Sequence, residues 1–240
     1  MKILGIAAKW LFILCLPILL LTVSLGWAAN SLWLYKYGFQ KYNVSQTLAD
    51  SGLKLTDSEL EDIYARLISY YNSHDEYISI TVANDGKPFN LFTPEETIHF
   101  RDVKGLIRLD YWVLLGTLVY VLAYAGVCLF WRKRRYWRYL AWGLVGGGSL
   151  TLALILVVFG LGMLLGFDQL LYRFHFVFFT NLFWSAEGYM LLLFPENLLR
   201  DMALFCAAIT IGLAIILGGV GGGYLIFSRS RRTSVDAPHP

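Results

Sequence analysis

The sequence predicts an all-α polytopic membrane protein with four transmembrane helices, a small extracytoplasmic α+β cap and an outer interfacial helical loop. Of its 240 residues, 57% are hydrophobic and only 15% are charged, a combination that soluble domains rarely show. A helix needs roughly 20 mostly apolar residues to cross a bilayer. Four stretches meet this requirement: residues 10–29, 111–131, 139–165 and 202–227. Clusters of basic residues at the ends of these stretches agree with the same fold.

The basic clusters also predict the orientation of the chain, because short loops rich in Lys and Arg stay in the cytoplasm. Lys2 and Lys9 precede the first span, a basic loop at 131–138 joins the second span to the third, and a basic tail at 228–240 follows the fourth. All three clusters then lie on one side. We therefore expect a multi-pass protein of the cytoplasmic membrane whose N- and C-termini are both cytoplasmic.

This orientation predicts how the chain is divided. The expected parts are residues 1–29 (first span), 30–110 (outer cap), 111–165 (second and third spans), 166–201 (outer interfacial segment) and 202–227 (fourth span), followed by the tail. The formal net charge of +3 is too small to suggest a nucleic-acid partner. The first apolar run could instead be a signal peptide, but it is longer than a usual signal core, which favours an uncleaved anchor.

The outer cap begins with a predicted helix and a predicted hairpin. Thr56 and Glu59 have the spacing of a capping box, and apolar residues then recur on one helical face up to about residue 72. The next segment, "YISITVANDGKPFNLF", alternates around Asn84-Asp85-Gly86, which predicts a short hairpin.

A second cap helix is predicted to begin after Thr93 and to run into the second span. Pro94 suits the first helical position, and Glu96 stands at the capping-box position. A cap this small cannot build a large core alone. We therefore expect it to pack against the membrane face or against the other outer segment.

Two glycine clusters lie within apolar spans, at residues 146–148 and 218–223. They lack the Lys-Ser/Thr pair of a phosphate-binding loop. Close packing between helices is the better interpretation, and it also applies to Gly162 and Gly166, which are four residues apart.

Two histidines are candidates for chemistry. His99 precedes Asp102 by three residues, so both lie on one helical face, where the carboxylate could orient the imidazole as a base. A surface pair at the membrane interface explains this spacing equally well. His175 lies in the apolar run "FDQLLYRFHFVFFTNLFW", where ionisable side chains are expensive and usually face a cavity or one another. Asp168 and Arg173 in this run could pair with each other.

Two imidazoles on the outer side, one backed by a carboxylate, suit general acid–base catalysis near neutral pH. Zinc binding by the two histidines and a carboxylate ranks second, because close His-x-x-x-His spacing is absent from the sequence. Cys15, Cys128 and Cys206 all fall inside spans and offer neither a disulfide framework nor a metal-binding pair. A serine triad lacks its Gly-x-Ser-x-Gly element.

Two segments of the chain resemble a known family. They are "LFTPEETIHFRDVKGL" at residues 91–106 and residues 166–202, which contain "FDQLLYRFHFVFFTNLFW" and "LFPENLLRDM". They are similar to a bacterial family of four-span membrane proteins whose characterised members are lipoprotein intramolecular transacylases. The order of spans and outer segments is similar over the whole chain. The matching residues are Glu95, His99, Asp102, Val103, Lys104, Phe167, Asp168, Phe174, His175, Phe178, Phe179, Asn181 and Trp184.

The resemblance implies an enzyme that moves the sn-2 acyl chain of a diacylglyceryl lipoprotein to the α-amine of its own N-terminal cysteine. The implied catalytic residues are His99 and His175, one as general base and the other as proton donor or oxyanion partner, with Asp102 orienting His99. No metal or other cofactor is implied, and the expected partners are diacylglyceryl-modified lipoproteins and membrane lipid. The residues expected to bind or orient the substrate are Asp168, Arg173, Asn181, Trp184, Phe178 and Glu95.

This sequence departs from the family pattern in two places. Phe100 stands where Met is common, and residues 185–189 replace a turn that contains Asp-Pro. The alternative function is a non-catalytic membrane assembly or sensor protein that binds a partner through its outer cap. In that protein the apolar face of the first cap helix would matter more than either histidine.

Overall fold

The structure is a computed structural model that describes residues 2–84, 86–130 and 134–235, with side chains for 5–84, 86–130 and 136–229. Asp85 of the expected turn, residues 131–133 of the expected basic loop and residues 236–240 of the tail lie outside the described residues. The helices are α1 (Lys2–Asn30), α2 (Leu32–Lys41), α3 (Val44–Asp50), α4 (Asp57–Asn72), α5 (Pro94–Phe130), α6 (Arg134–Leu165), α7 (Phe167–Phe178), α8 (Tyr189–Leu193) and α9 (Glu196–Val235). The strands are β1 (Thr81–Asn84) and β2 (Lys87–Asn90), and a 3-10 turn covers Phe183–Ser185.

Four helices in the described part of the chain are long and apolar enough to cross a membrane. These segments are Gly5–Asn30, Pro94–Phe130, Tyr136–Leu165 and Glu196–Arg229. Large apolar side chains such as Leu156, Val157 and Val158 are exposed along them, as expected where lipid rather than water surrounds the helix. The predicted four-span helical fold is confirmed.

The chain forms two compact units, of which the first contains residues 1–24, 111–160 and 206–240. Its core gathers Phe12, Leu16 and Leu20 of α1 with Ala214 of α9. Glycines bring the helix backbones close together: a Cβ atom at Gly148 would lie 2.8 Å from the carbonyl oxygen of Ala214. At Gly221 it would lie 2.6 Å from the carbonyl oxygen of Ala141. The predicted packing role of the glycine clusters is confirmed at these positions.

Gly166 has a different role from the one predicted. Its φ of 86° is in the left-handed region that side chains rarely adopt, and it separates α6 from α7. The glycine therefore forms the turn between two helices, and the interpretation of Gly166 as a helix-packing residue was wrong. Gly162 does fit the interpretation, because a Cβ atom there would lie 3.3 Å from Leu170.

The second unit contains residues 25–110 and 161–205 and has an aromatic core. The ring of Tyr64 stacks on Tyr35 and Phe39, and its hydroxyl donates a 2.6 Å hydrogen bond to the carbonyl oxygen of Leu193. Residues from the cap and from the outer segment share this core, so the cap packs against the other outer segment, one of the two expected surfaces.

The cap helices partly match the prediction. Thr56 and Glu59 form the expected capping box of α4. Helices α2 and α3 were missed, and the cap therefore contains two more helices than the expected helix, hairpin and helix. Both are short, and neither N-cap residue, Ser31 or Asn43, makes a side-chain cap hydrogen bond. Helices of this length depend on tertiary packing, which local sequence signals do not reveal.

The hairpin and the start of α5 follow the prediction. Strands β1 and β2 are antiparallel, with Val82 opposite Phe89. The hydroxyl of Thr93 accepts a hydrogen bond from the backbone N–H of Glu96, and the Glu96 carboxylate accepts one from the backbone N–H of Thr93. This reciprocal pair confirms the predicted capping box and sets where α5 begins.

Glu96 also joins α5 to the outer segment. Its side chain is fully buried, and its second carboxylate oxygen accepts a 2.7 Å hydrogen bond from the backbone N–H of Met190. A Cβ atom at Gly188 would overlap this carboxylate, so only glycine allows the approach. One buried side chain thus holds the first turn of α8 against the first turn of α5.

We expect Gly148→Ala to lower the free energy of unfolding by about 1–3 kcal/mol, because the added methyl group has no space against the backbone of α9. Gly116→Ala is the matched control, since a Cβ atom there has no neighbour within 4 Å among the described residues. Thermal unfolding of the two purified variants in detergent measures the difference. Equal midpoints for both variants would contradict the packing role.

We expect Glu96→Gln to lower the free energy of unfolding by about 1–3 kcal/mol, because the amide group would face a buried backbone N–H donor and leave it unpaired. Glu95→Gln changes an adjacent exposed side chain and should have an effect within about 0.5 kcal/mol. The measurement is thermal or denaturant unfolding of both variants. A Glu96→Gln protein as stable as Glu95→Gln would refute the link.

Candidate active site

The structure brings His99 and His175 together, although they are far apart in the chain. His99 projects from α5 and His175 from α7, and the centroids of their rings are 5.9 Å apart. His99 is only 6% exposed, whereas His175 is half-buried. Phe179 lies against both, with ring centroids 4.8 Å from His99 and 5.4 Å from His175.

The protonation of His175 follows from its hydrogen bond. Its Nδ1 atom lies 2.7 Å from the carbonyl oxygen of Leu171. A carbonyl oxygen only accepts, so Nδ1 must carry the hydrogen. Burial lowers the pKa of His175 below its ordinary value, and the bond to Leu171 opposes this in part. The imidazole is therefore neutral near pH 7, and its Nε2 atom has a free lone pair.

Two buried polar atoms at this site have no hydrogen-bond partner among the described residues: Nδ1 of His99 and Nε1 of Trp184. The indole ring of Trp184 lies 4.9 Å from the ring of His175. Buried polar groups in folded proteins are nearly always paired, so unpaired ones concentrated in one place point to function.

Asp102 makes its hydrogen bond to Asn181, and among the described residues none joins it to His99. Its Oδ2 atom accepts a 2.9 Å hydrogen bond from Nδ2 of Asn181, and its Oδ1 atom lies 3.5 Å from the guanidinium of Arg101. The orientation of His99 by Asp102 therefore stays a prediction, which rests on their shared helical face.

Asn181 connects Asp102 to the turn that carries Trp184. Its side-chain oxygen accepts a 3.1 Å hydrogen bond from the backbone N–H of Phe183, at the start of the 3-10 turn. Asp102 and Asn181 therefore connect α5 to the turn that carries the indole.

Four other expected residues lie outside this arrangement. Glu95, Asp168 and Arg173 are exposed, and among the described side chains no ion pair joins Asp168 to Arg173. Asp168 turns back towards Gly166 in the first turn of α7, where a negative charge is favourable. Phe178 is half-exposed and contacts the ring of Phe174 at 4.7 Å.

Sequence reasoning missed the importance of two residues. Glu96, and not the neighbouring Glu95, is the buried acid. Its second carboxylate oxygen accepts a hydrogen bond from Met190, almost a hundred residues later in the chain, and local spacing does not reveal such a contact. Phe179 contacts both imidazoles. It is among the residues that match the family motif, and its position one turn after His175 was a further signal that could have identified it.

The arrangement suits acid–base chemistry on one bound group, because both rings reach the same small volume. In the part of the chain that the structure describes, no group of three or more His, Cys, Asp or Glu side chains is placed to hold a metal ion. Aromatic side chains lie against the rings, and apolar surroundings of this kind strengthen electrostatic interactions.

The comparisons with known proteins agree on one family. The sequence model described as "Lipoprotein intramolecular transacylase Lit" matches residues 10–197. No curated protein sequence matches the chain.

Solved structures of the membrane integral lipoprotein intramolecular transacylase Lit from Bacillus cereus have the same fold. One is 17% identical with a TM-score of 0.76, and the match covers 97% of this chain and 100% of that chain. A variant with a histidine replaced by arginine is 18% identical with a TM-score of 0.70, over 97% and 96% of the two chains. A variant with a histidine replaced by alanine is 17% identical with a TM-score of 0.72, over 95% and 97%.

The family match extends over well more than half of the 240 residues, and the solved structures share the four-span fold with the outer cap. This chain therefore belongs to the lipoprotein intramolecular transacylase family and is an integral membrane enzyme.

Proposed function

We propose that this protein transfers the sn-2 acyl chain of a diacylglyceryl lipoprotein to the α-amine of the lipoprotein's own N-terminal cysteine, with His99 and His175 as the acid–base pair. The observation that carries the proposal is the 5.9 Å separation of two imidazoles that come from different helices. At this distance both rings can reach one substrate group. The product is a lyso-form, N-acylated lipoprotein.

His175 is the general base in this proposal. The α-amine attacks the carbonyl carbon of the sn-2 ester, and the new C–N bond forms as the amine loses a proton. The Nε2 atom of His175 has the free lone pair that accepts this proton, because Nδ1 donates to Leu171. Because the amine and the ester belong to one molecule, their proximity supplies much of the rate acceleration.

His99 is the proton donor to the leaving group. When the tetrahedral intermediate collapses, the C–O bond to the glyceryl sn-2 oxygen breaks, and that oxygen needs a proton. His99 lies beside His175 and is almost fully buried, so water does not compete for this step. The proton that His175 takes from the amine passes through His99 to the glyceryl oxygen, so both imidazoles return to their starting protonation state, and the reaction as written needs no cofactor or metal.

The surroundings of the histidines support a lipid substrate. Phe174, Phe179 and Trp184 place aromatic rings within about 6 Å of His175, with centroid distances of 5.6, 5.4 and 4.9 Å. Phe176 and Val177, on the neighbouring face of α7, are exposed apolar side chains that suit contact with acyl chains.

The proposed location follows from the basic clusters. The protein is a multi-pass protein of the cytoplasmic membrane with both termini in the cytoplasm, residues 30–110 and 166–201 on the outer side, and the active site on the outer face. In this proposal, diacylglyceryl lipoproteins also present their N-terminal cysteine at the outer face. The enzyme and its substrate therefore meet on the same side of the membrane.

We expect His99→Ala and His175→Ala each to lower the rate of acyl transfer by about 10²–10⁴-fold, the usual contribution of general acid–base catalysis. His74→Ala, in an exposed loop, is the matched control and should retain full activity. Mass spectrometry of the N-terminal lipopeptide measures transfer of the acyl chain to the amine. Active histidine variants would instead favour a non-catalytic protein that binds a partner through its cap.

We expect the rate to fall in acid at a pH below about 6.5, the ordinary pKa of histidine. Burial lowers the pKa of His175, so its basic form persists below that pH and is lost only as the pH falls through the lowered value. The pH profile of kcat/KM of the purified enzyme checks this. The substrate's α-amine, with an ordinary pKa of about 7.7–8.0, adds a limb of its own, so the limb due to His175 is identified by its loss in His175→Ala. A His175→Ala residual rate that keeps the limb below about pH 6.5 would contradict the assignment of His175 as base.

A further inference from the structure

We propose that Trp184 is a third catalytic residue, whose indole N–H donates a hydrogen bond to the carbonyl oxygen of the sn-2 ester as that oxygen becomes negatively charged. This inference rests on the proposed function and deepens it. It assigns a hydrogen-bond donor to the carbonyl oxyanion, the one negative charge in the reaction that neither histidine stabilises.

The reaction develops negative charge in two places. The amine's attack moves the electron pair of the C=O bond onto the carbonyl oxygen, and the later collapse moves a pair onto the glyceryl oxygen. His175 is occupied with the proton of the amine, and His99 with the proton for the glyceryl oxygen. The carbonyl oxyanion therefore needs a donor of its own, and such donors are usually the largest single contribution to acyl transfer.

Trp184 offers that donor. An indole Nε1 atom can donate but cannot accept a hydrogen bond. The Nε1 atom of Trp184 is buried, and no described residue accepts its hydrogen. Leaving such a donor unpaired costs about 1–3 kcal/mol in a folded protein. A substrate oxygen that pairs with it recovers this cost at the moment of reaction.

The position of the indole is set before substrate arrives. Its ring lies 4.9 Å from the ring of the proposed base, His175, at an interplanar angle of 32°. The 3-10 turn that carries it is held by Asn181, which is itself bound to Asp102 on α5. A donor on a fixed support needs little reorganisation in the transition state, which is what makes an oxyanion donor effective.

Tyr172 packs edge-on against the indole with ring centroids 5.5 Å apart, and its side chain is 50% exposed. In the proposal, this exposed ring is the side chain that moves to let the substrate reach the indole N–H. The indole keeps its proton throughout, so the atom balance of the proposed reaction is unchanged.

The test compares wild type with Trp184→Phe, which keeps an aromatic ring beside His175 but removes the N–H. We expect kcat to fall by about 10²–10³-fold, as for the loss of one oxyanion donor. KM should change by less than about threefold, because the hydrogen bond is strong only in the transition state. Trp112→Phe is the matched control, since Trp112 is 72% exposed on α5.

A second variant separates the hydrogen bond from packing. Benzothienylalanine incorporated at position 184 keeps the bicyclic shape of tryptophan and replaces the N–H by sulfur. We expect the same fall in kcat with an unchanged midpoint of thermal unfolding. The acid limb of the pH profile should stay where it is in wild type, because His175 is untouched.

The outcomes are distinct. If wild type transfers the acyl chain and both variants at position 184 keep kcat within about threefold, the role of Trp184 is refuted while the proposed function stands. If Trp184→Phe loses activity but the benzothienyl variant does not, the ring acts by packing, and the hydrogen-bond role is also refuted. If wild type shows no acyl transfer, the proposed function itself fails.

Discussion

The carboxylate of Glu96 holds together the two parts of the chain that the candidate site requires. It is buried inside the cap and pairs with backbone N–H groups of Thr93 and Met190, one at the start of α5 and one at the start of α8. Six residues further along α5, Asp102 makes a second connection, through Asn181. His99 lies midway between these two anchors. The outer segment is therefore attached to α5 on both sides of the imidazole, and this attachment brings His175 and Trp184 to it.

The polar groups of this region divide into two sets. Glu96, Asp102 and Asn181 are satisfied by hydrogen bonds and act as structural connections. His99 and Trp184 each keep a buried polar atom unpaired. Natural structures retain such local costs mainly at functional sites, because pairing every group would leave none for the substrate. Because the paired groups hold the helices together and the unpaired groups are left for the substrate, structural and catalytic residues can occupy the same few helical turns.

Patterns along the chain predicted much of the fold. The apolar runs, the basic clusters, the capping boxes at Thr56 and Thr93 and the hairpin around Asn84 all depend on neighbours within a few residues, and the structure confirms the four spans, both caps and the strands. Helices α2 and α3 were missed because their stability comes from packing in the aromatic core. Gly166 was misread because a left-handed turn and a close helix contact both demand glycine.

Sequence by itself determined which residue types were available, including two histidines in apolar surroundings. It also contained the motifs whose resemblance to a known family suggested a reaction. Only the tertiary structure decided which of these residues meet. It brought His99 beside His175, joined Asp102 to Asn181, and placed Glu96 rather than Glu95 inside the protein. The physical reason is that a hydrogen bond or a ring contact depends on distance and direction in space. Helical spacing defines those only within one helix, whereas the contacts of His99, Asp102 and Glu96 join α5 to residues roughly 75 to 95 positions later in the chain.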